Sequence, residues 1–414
     1  MTTKSSEPKA PRLLEGMTVL SFCHYLQGPA AAQYLADLGA DVIKVEPKKG
    51  AFERHWAGAS TFVEDVSVFF LCANRNKRSI ALDLKHPDST QILHRLIASA
   101  DVLVENYRPG VMDRLNLGYE AVRRIKPDII YASATGFGAD GPFKDRPGQD
   151  LLIQARSGLI AASGARPTVT GCAAVDQHGA ALLAMGIAAA YASKLTTGKG
   201  TRIEGSLFNA GIDLQAESLT LYYSGKQSRE RFTRDPHLGT WFHEAPYGVY
   251  ELTDAFVAIS LNPVQKIADA LGSEELAALA GNDAYNDRDL IASTLANILS
   301  EWSFADLERA FEPAGIWYER VNDYDDLLVD PQAVHNQIFR KIPVRGDEAT
   351  IVNHPLKYDG LVPELRLMPP EIGQHGEEIL ETLGFSQEEI ARLVESGALA
   401  QPPKTAEYKD GTTQ

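Results

Sequence analysis

Asp176 is the residue around which a reaction could be built. It lies in PTVTGCAAVDQHGAALLAMGIAAAYASKL (167–195), where an apolar strand is expected to run into the acid and a helix of small residues to leave just after it. Open α/β sheets place their ligands at that edge, between strand carboxyl ends and helix amino ends. Two readings stand side by side. As an N-cap, the Asp176 side chain accepts a hydrogen bond from a first-turn amide. As a nucleophile, a carboxylate held by a helix amino end and shielded from water attacks an activated acyl group. Spacing does not choose between them.

Three basic groups fall near expected strand ends: Lys44 with Lys48 and Lys49, Arg75 to Arg78 with Lys85, and Arg108 with Arg114. Gathered at one sheet edge they would hold a phosphorylated ligand through charge-assisted hydrogen bonds. Spread over loops they would be ordinary solvated charge. Asn106 and Tyr107, just beyond an expected strand, offer an amide and an aromatic face to an adenine, while simple packing also accounts for Tyr107.

The elements that position these residues follow from the apolar pattern. Short apolar runs predict strands at Met17–Cys23, Ala40–Glu46, Ser79–Leu84, Ala100–Glu105, Asp128–Ser133 and Thr201–Leu207, separated by helix-length segments. The first helix follows His24-Tyr25-Leu26-Gln27-Gly28-Pro29, a turn in which Pro29 suits the first helical positions. Such alternation predicts a parallel sheet covered on both faces. The first strand–helix–strand unit, Met17 to Glu46, lacks a GxGxxG fingerprint, which disfavours NAD. Asn209 to Tyr223 is helical in spacing, and 225–240 is charged without a core pattern. Tyr247–Leu261 predicts a hairpin turning at Thr253-Asp254, followed by helices near 263–272, 287–301 and 304–312 and a strand at Gly315–Val321. A further short hairpin is expected at Pro343–Val352, and terminal helices at Glu377–Leu383 and Gln387–Glu395. The division expected is a large domain over 1–208, a linker over 209–240, a small α+β domain over 241–329, and a return linker with C-terminal helices over 330–414. Residues 1–12 and those from about Gln401 read as loose termini.

Forty basic against 55 acidic residues give a net charge of −15 over 414 residues, which argues against nucleic acid or an anionic membrane as partner. Cys23, Cys72 and Cys172 show no metal or disulfide spacing, so no metal and a reducing cytoplasm are expected. The apolar run Ala180 to Ala192 is too short to span a bilayer.

The runs HYLQGPAAAQYLADLGADVIKVE, NRNKRSIALDLK, VENYRPGVMDRLNLG, ASATGFGADGP, GCAAVDQHGAALLAMGIAAA and TTGKGTRIEGSLFNA together resemble the class III CoA-transferases, the family of formyl-CoA transferase, L-carnitine CoA-transferase and the α-methylacyl-CoA racemases. The likeness covers Leu13 to about Leu399. It implies an α/β fold with a Rossmann-like large domain and a smaller α+β domain, in ring-shaped subunits interlocked as a homodimer. It implies that Asp176 attacks an acyl-CoA thioester and carries the CoA as an aspartyl thioester. Matched one by one, His24 and Tyr25 line the CoA and acyl pocket, Leu82 and Lys85 contact the nucleotide, and Asn106, Tyr107 and Arg114 contact adenine and phosphate.

Some positions depart from the family pattern. The glutamine that holds the acyl-aspartyl intermediate falls at Leu26, with Gln27 next door as the catalytic candidate. A phosphate-binding arginine falls at Pro47, leaving Lys48 as its substitute. The glycine-rich lid is replaced by DPHLGTWFHEAPYG, which disfavours formyl-CoA and oxalate. The triplet that carries the racemase histidine reads Gly148-Gln149-Asp150, and an amide is no general base near neutral pH. The resemblance therefore implies a CoA-transferase acting on acyl-CoA and carboxylic acid substrates, with no cofactor beyond coenzyme A as substrate. An acyl-CoA racemase or isomerase and a non-catalytic acyl-CoA-binding protein remain the alternatives.

Overall fold

The computed structural model describes residues 9–402, so the expectations for 1–8 and 403–414 lie outside the described residues. The chain forms two compact units. One comprises the residues up to Asp150, Ala174–Ala210 and those from Pro331 onward; the other comprises Leu151–Ala173 and Gly211–Asp330.

Six short strands build the sheet of the first unit, the first four of them carrying most of its valine, isoleucine and leucine. They are β1 (Thr18–Phe22), β2 (Asp41–Pro47), β3 (Lys77–Leu82), β4 (Val102–Glu105), β5 (Ile130–Thr135) and β6 (Arg202–Ser206). All neighbours are parallel, and the spatial order is β3-β2-β1-β4-β5-β6. Successive residues point to opposite faces, so β1, β2, β4 and β5 each feed two cores. Leu20, Ile43, Ile80 and Leu103 face α2 (Ser89–Ser99) and the terminal helices α4 (Gly376–Thr382) and α5 (Gln387–Glu395). Val19, Val42, Val104 and Ala132 face α1 (Gln27–Asp37) and α3 (Ala174–Thr197). Alanines on both α1 and α3, among them Ala31, Ala32, Ala180 and Ala184, let those two helices approach closely.

Two expectations about this region are corrected. Residues 165–173 form a loop rather than a strand entering Asp176: β6 pairs only with β5, and Pro167 and Gly171 interrupt the apolar run. The apolar helix is 24 residues long, enough by length and composition to cross a membrane, not the shorter run expected. Its face bearing Ala180, Leu183 and Ile187 nevertheless packs into the sheet's core.

The basic group at Arg75 to Arg78 is also not a phosphate site. It precedes and opens β3, at the opposite end from Leu82, and its charges are taken up by the fold. Arg75 pairs with the buried Asp37 at 2.7 Å, with Asn76 and His354 bonding the same carboxylate. Lys77 is fully buried and donates to Pro29 O, Ala73 O and Asn74 Oδ1, and burial drives its pKa well below the ordinary lysine value. Arg78 pairs with Asp41 and Glu378.

The second unit is α+β. Strands β7 (Gly248–Glu251), β8 (Phe256–Ile259) and β9 (Tyr318–Arg320) form an antiparallel sheet with β8 in the centre. Helices Val264–Leu271, Arg288–Leu299 and Phe304–Ala314 bury Ile267, Leu295 and Phe311 against Tyr250 and Val257. Residues 209–240 hold the helical structure that the spacing of Asn209 to Tyr223 predicts, most of Leu207–Asp213 and all of Ala216–Ser224, with a 3₁₀ turn at Arg229–Phe232.

Burial opposes ionisation of Asp37, but His354 and Arg75 outweigh it and hold the carboxyl below its ordinary value. Asp37→Ala leaves Arg75 buried and unpaired, which should cost about 3–5 kcal/mol in urea unfolding at pH 7. A depressed carboxylate pKa stabilises above the unfolded value near 3.9, so the gap between the two proteins should close as pH falls below about 4.

Candidate active site

In this strand order the chain leaves β1 and β4 in opposite directions, and the crevice beyond their carboxyl ends is where such sheets bind ligands. Cys23, His24, Tyr25 and Leu26 form the turn from β1 into α1 at that point. Three partners hold it. Asn106, just past β4, accepts from His24 N at 2.9 Å and donates to His24 O at 2.8 Å. Lys44 of β2 donates to Cys23 O at 2.9 Å. Glu53 accepts from Tyr25 N at 3.1 Å and from Lys44 Nζ at 3.0 Å, with both charged side chains 1% exposed. Tyr25 has φ 62°, a left-handed conformation costing a bulky residue on the order of 1–3 kcal/mol, which persists only where the surroundings fix it. The Asn106 amide thus holds the backbone of this turn.

Beside this turn lies a cleft of about 400 Å³ at the carboxyl ends of β2 and β3, lined by Pro47, Lys48, Lys49, Leu82, Lys85 and Tyr107 among others. Four of the expected nucleotide residues therefore meet in one place. Leu82 is fully buried, Lys85 is exposed, and Lys48 donates to Gly397 O at 2.9 Å. Arg114 is exposed on the short helix Val111–Arg114, between the cleft residues Val111 and Leu115. Burial raises the Tyr107 phenol to about 12 and lowers the pKa of His24, so both are neutral at pH 7. A larger cavity of about 770 Å³ in the second unit includes Gly239, Thr240 and Tyr247 from the segment expected to stand in for a lid, and none of the expected site residues.

The other half of the site is the amino end of α3. The helix begins at Ala174, so Asp176 lies inside its first turn and is not the cap. The Asp150 carboxylate occupies that position, accepting from Val175 N at 2.8 Å and Asp176 N at 3.0 Å. Burial, and then the charge of Asp150, raise the Asp176 carboxyl to about 7. Gln27, not Leu26, opens α1, and its side chain is 5% exposed. Its Nε2 sits where a β-carbon on Gly179 would come within 2.5 Å. Gly179 follows Asp176 by three residues and shares its helix face. A buried amide therefore lies about one turn from a carboxylate that gains nothing from the amide Asp150 already holds. The thiol of Cys23 is no competing nucleophile, because burial pushes it to about 12.

Glu53 was not a candidate from sequence. The signal available was Lys44, a lysine inside the apolar strand VIKVE, which demands a buried counter-charge. Asp150 stood out only within the triplet Gly148-Gln149-Asp150, and its capping of α3 depends on a contact across 25 residues that spacing does not show.

A model of CoA-transferase family III matches residues 14–376. The chain belongs to that family. Human succinyl-CoA:glutarate CoA-transferase is 32% identical over 403 residues, spanning 94% of this chain and 90% of the relative. The acetyl-CoA:oxalate CoA-transferase of Acetobacter aceti is 31% identical over 387 residues, spanning 90% and 96%. The crystal structure of a CAIB/BAIF family protein from Brucella suis superposes with a TM-score of 0.78 at 29% identity, over 91% of this chain and all of that one. The protein is thus an enzyme of the class III CoA-transferases, and acyl-CoA and carboxylic acids suit it as substrates.

In this CoA-transferase, Gly179→Ala should displace the Gln27 amide, because the added methyl meets a side-chain end that can move. If Gln27 stabilises charge beside Asp176, turnover should fall tenfold or more while the melting midpoint stays close to wild type. Paired activity and melting measurements check this.

Proposed function

We propose that this enzyme moves CoA from an acyl-CoA to a carboxylic acid through a covalent intermediate on Asp176. The Asp176 carboxylate attacks the thioester carbonyl and expels CoA thiolate, leaving a mixed anhydride. The thiolate attacks the aspartyl carbonyl of the anhydride, giving aspartyl-CoA thioester and releasing the donor acid. The acceptor carboxylate then attacks that thioester, expelling thiolate and forming a second anhydride. Thiolate attack on the acceptor's acyl carbon completes the new acyl-CoA and returns the Asp176 carboxylate. Each step exchanges one activated acyl bond for another, so the site must exclude water.

The observation that carries this reading is the state of Asp176. It is partly buried, its carboxyl is raised to about 7, and Asp150 holds the helix amides that would otherwise stabilise it. A carboxylate so placed is a better nucleophile than one in water. Gln27 would donate to the oxyanion formed at each step. Lys48, Lys85 and Arg114 would hold the CoA phosphates, Leu82 and Tyr107 the nucleotide, and His24 and Tyr25 the neck between cleft and nucleophile. Asn106 enters as a brace for that neck. The exchange needs coenzyme A only as substrate, and Gln149 supplies no base for a racemase.

A cytoplasmic homodimer of interlocked subunits belongs to the same proposal. It is supported by the outer face of α3, where Met185 is 63% and Leu195 71% exposed. Such side chains on a long apolar helix suit coverage by a second copy.

Incubation with an acyl-CoA should leave a hydroxylamine-sensitive CoA adduct on the peptide containing Asp176. Asp176→Ala should be folded, form no adduct and lose exchange; a folded variant with unchanged turnover would refute the proposal. On pH, kcat/KM should fall about tenfold per unit below about 7 as Asp176 is protonated. Asp150→Asn keeps an acceptor oxygen but removes the like charge, so that acid limb should move to lower pH.

A further inference from the structure

Asp150 takes the α3 amides beside Asp176, and the loop before it decides where that carboxylate stands. β5 ends at Thr135. The chain then runs out through residues 137–147 and returns to the point it left. A β-carbon on Gly136 would fall 2.6 Å from Gly148 Cα and 3.0 Å from its nitrogen, and one on Gly148 would fall 2.3 Å from Gly136 Cα. Two bare backbones therefore press on each other, and a side chain on either one meets main chain that has no room to yield. Space makes this demand, not backbone angle, since neither glycine has a positive φ.

The pinch is anchored to the sheet. Gly136 O accepts from Phe208 N at 3.0 Å, just past β6, and Thr135 Oγ1 accepts from Gly138 N at 2.8 Å. Beyond the pinch the loop packs on Phe208 and on itself. Phe137 lies 5.9 Å from both Phe143 and Phe208 between ring centroids, and the Arg146 guanidinium lies 4.6 Å over the Phe143 ring. A surface loop with touching ends and its own packing is an Ω-loop, a type frequently put to functional use. Gly148 thus rests on the carboxyl ends of two strands. Asp150 comes two residues later, and its carboxylate accepts from Val175 N and Asp176 N.

We infer that Gly136 and Gly148 are positioning residues for the transfer: their contact holds the Asp150 carboxylate on the α3 amides and so keeps a like charge beside Asp176. This rests on the transfer reading, which makes Asp176 the reacting group. Asp150 is the charge that acts on Asp176, burial being the other influence. Drawing Asp150 away therefore has a definite sign. Asp176 loses a like charge, and helix amides become available to its carboxylate; both favour the anion and make it a weaker nucleophile. A glycine needed only for folding would change the melting midpoint and leave the pH profile where it was.

Gly148→Ala in the otherwise intact enzyme tests this through kcat/KM against pH. Plateau turnover should fall about tenfold or more, and the acid limb should move down by about half a unit or more. On an Asp150→Asn background the like charge is already gone, so Gly148→Ala should move the limb no further. Gly136→Ala presses on the same contact from the other side and should reproduce the shift. Phe143→Ala, which loosens only the loop beyond, should leave limb and turnover unchanged. A limb that stays put in a folded alanine variant of either glycine, an equal shift with and without Asp150→Asn, or failure of both glycine variants to fold would overturn the inference. Asp176→Ala protein separates this claim from the reading beneath it. Exchange that survives there sinks the transfer reading, whereas Asp176-dependent exchange with an unmoved limb sinks the positioning role alone.

Discussion

The ion pair between Lys44 and Glu53 is the interaction on which the candidate site depends. It is buried under the end of the sheet, with one partner on a central strand and the other on a 3₁₀ turn. Isolated, such a pair adds little net stability, because desolvation offsets the attraction. Its consequence is positional. Lys44 fixes the carbonyl that ends β1, Glu53 fixes the amide of a left-handed tyrosine, and Asn106 closes the turn from the neighbouring strand. One buried pair so ties together three segments that meet at the crevice.

A second constraint sits at α3, where two carboxylates share one helix end. A helix amino terminus stabilises an anion through its free amides and dipole. Asp150 takes the two amides seen here, and Asp176 is left with burial and a like charge. That disposition makes Asp176 a poor contributor to stability and suits the part the proposed transfer gives it. Between about pH 4 and 7 the folded state keeps a proton on Asp176 that the unfolded chain has lost, so its contribution to stability falls as pH rises through that window. Local rules broken in this way are expected where chemistry is done.

Much of the fold was legible because buried parallel strands and their helices write their period into the chain. VLSF, VIKVE, SIAL and VLVE each appear as short apolar runs, and each became a strand within two residues of expectation. The antiparallel hairpin of the second unit, with its Thr253-Asp254 turn, was legible for the same reason. Errors arose where the cause is not local. PTVTGCAA looks like a strand, yet the sheet offers it no neighbour. Arg75 to Arg78 look like a ligand site, yet Asp37, Asp41 and Glu378 come to them from distant segments. The bonds between the Asn106 amide and the backbone of His24 join residues 82 apart and were not legible from spacing. Lys48, Leu82, Lys85 and Tyr107 do meet in one cleft, because strand carboxyl ends in a parallel sheet all open on the same side.

The central claim is that both halves of the reaction pass through Asp176, and oxygen labelling tests it most directly. With an acceptor acid carrying ¹⁸O in both carboxylate oxygens, each completed cycle should leave one labelled oxygen on Asp176. After a single turnover, digestion and mass spectrometry should then show the Asp176 peptide two mass units heavier, approaching four over many cycles, with no gain elsewhere. If turnover is complete and that peptide stays unlabelled, CoA passes directly between donor and acceptor and the account is wrong.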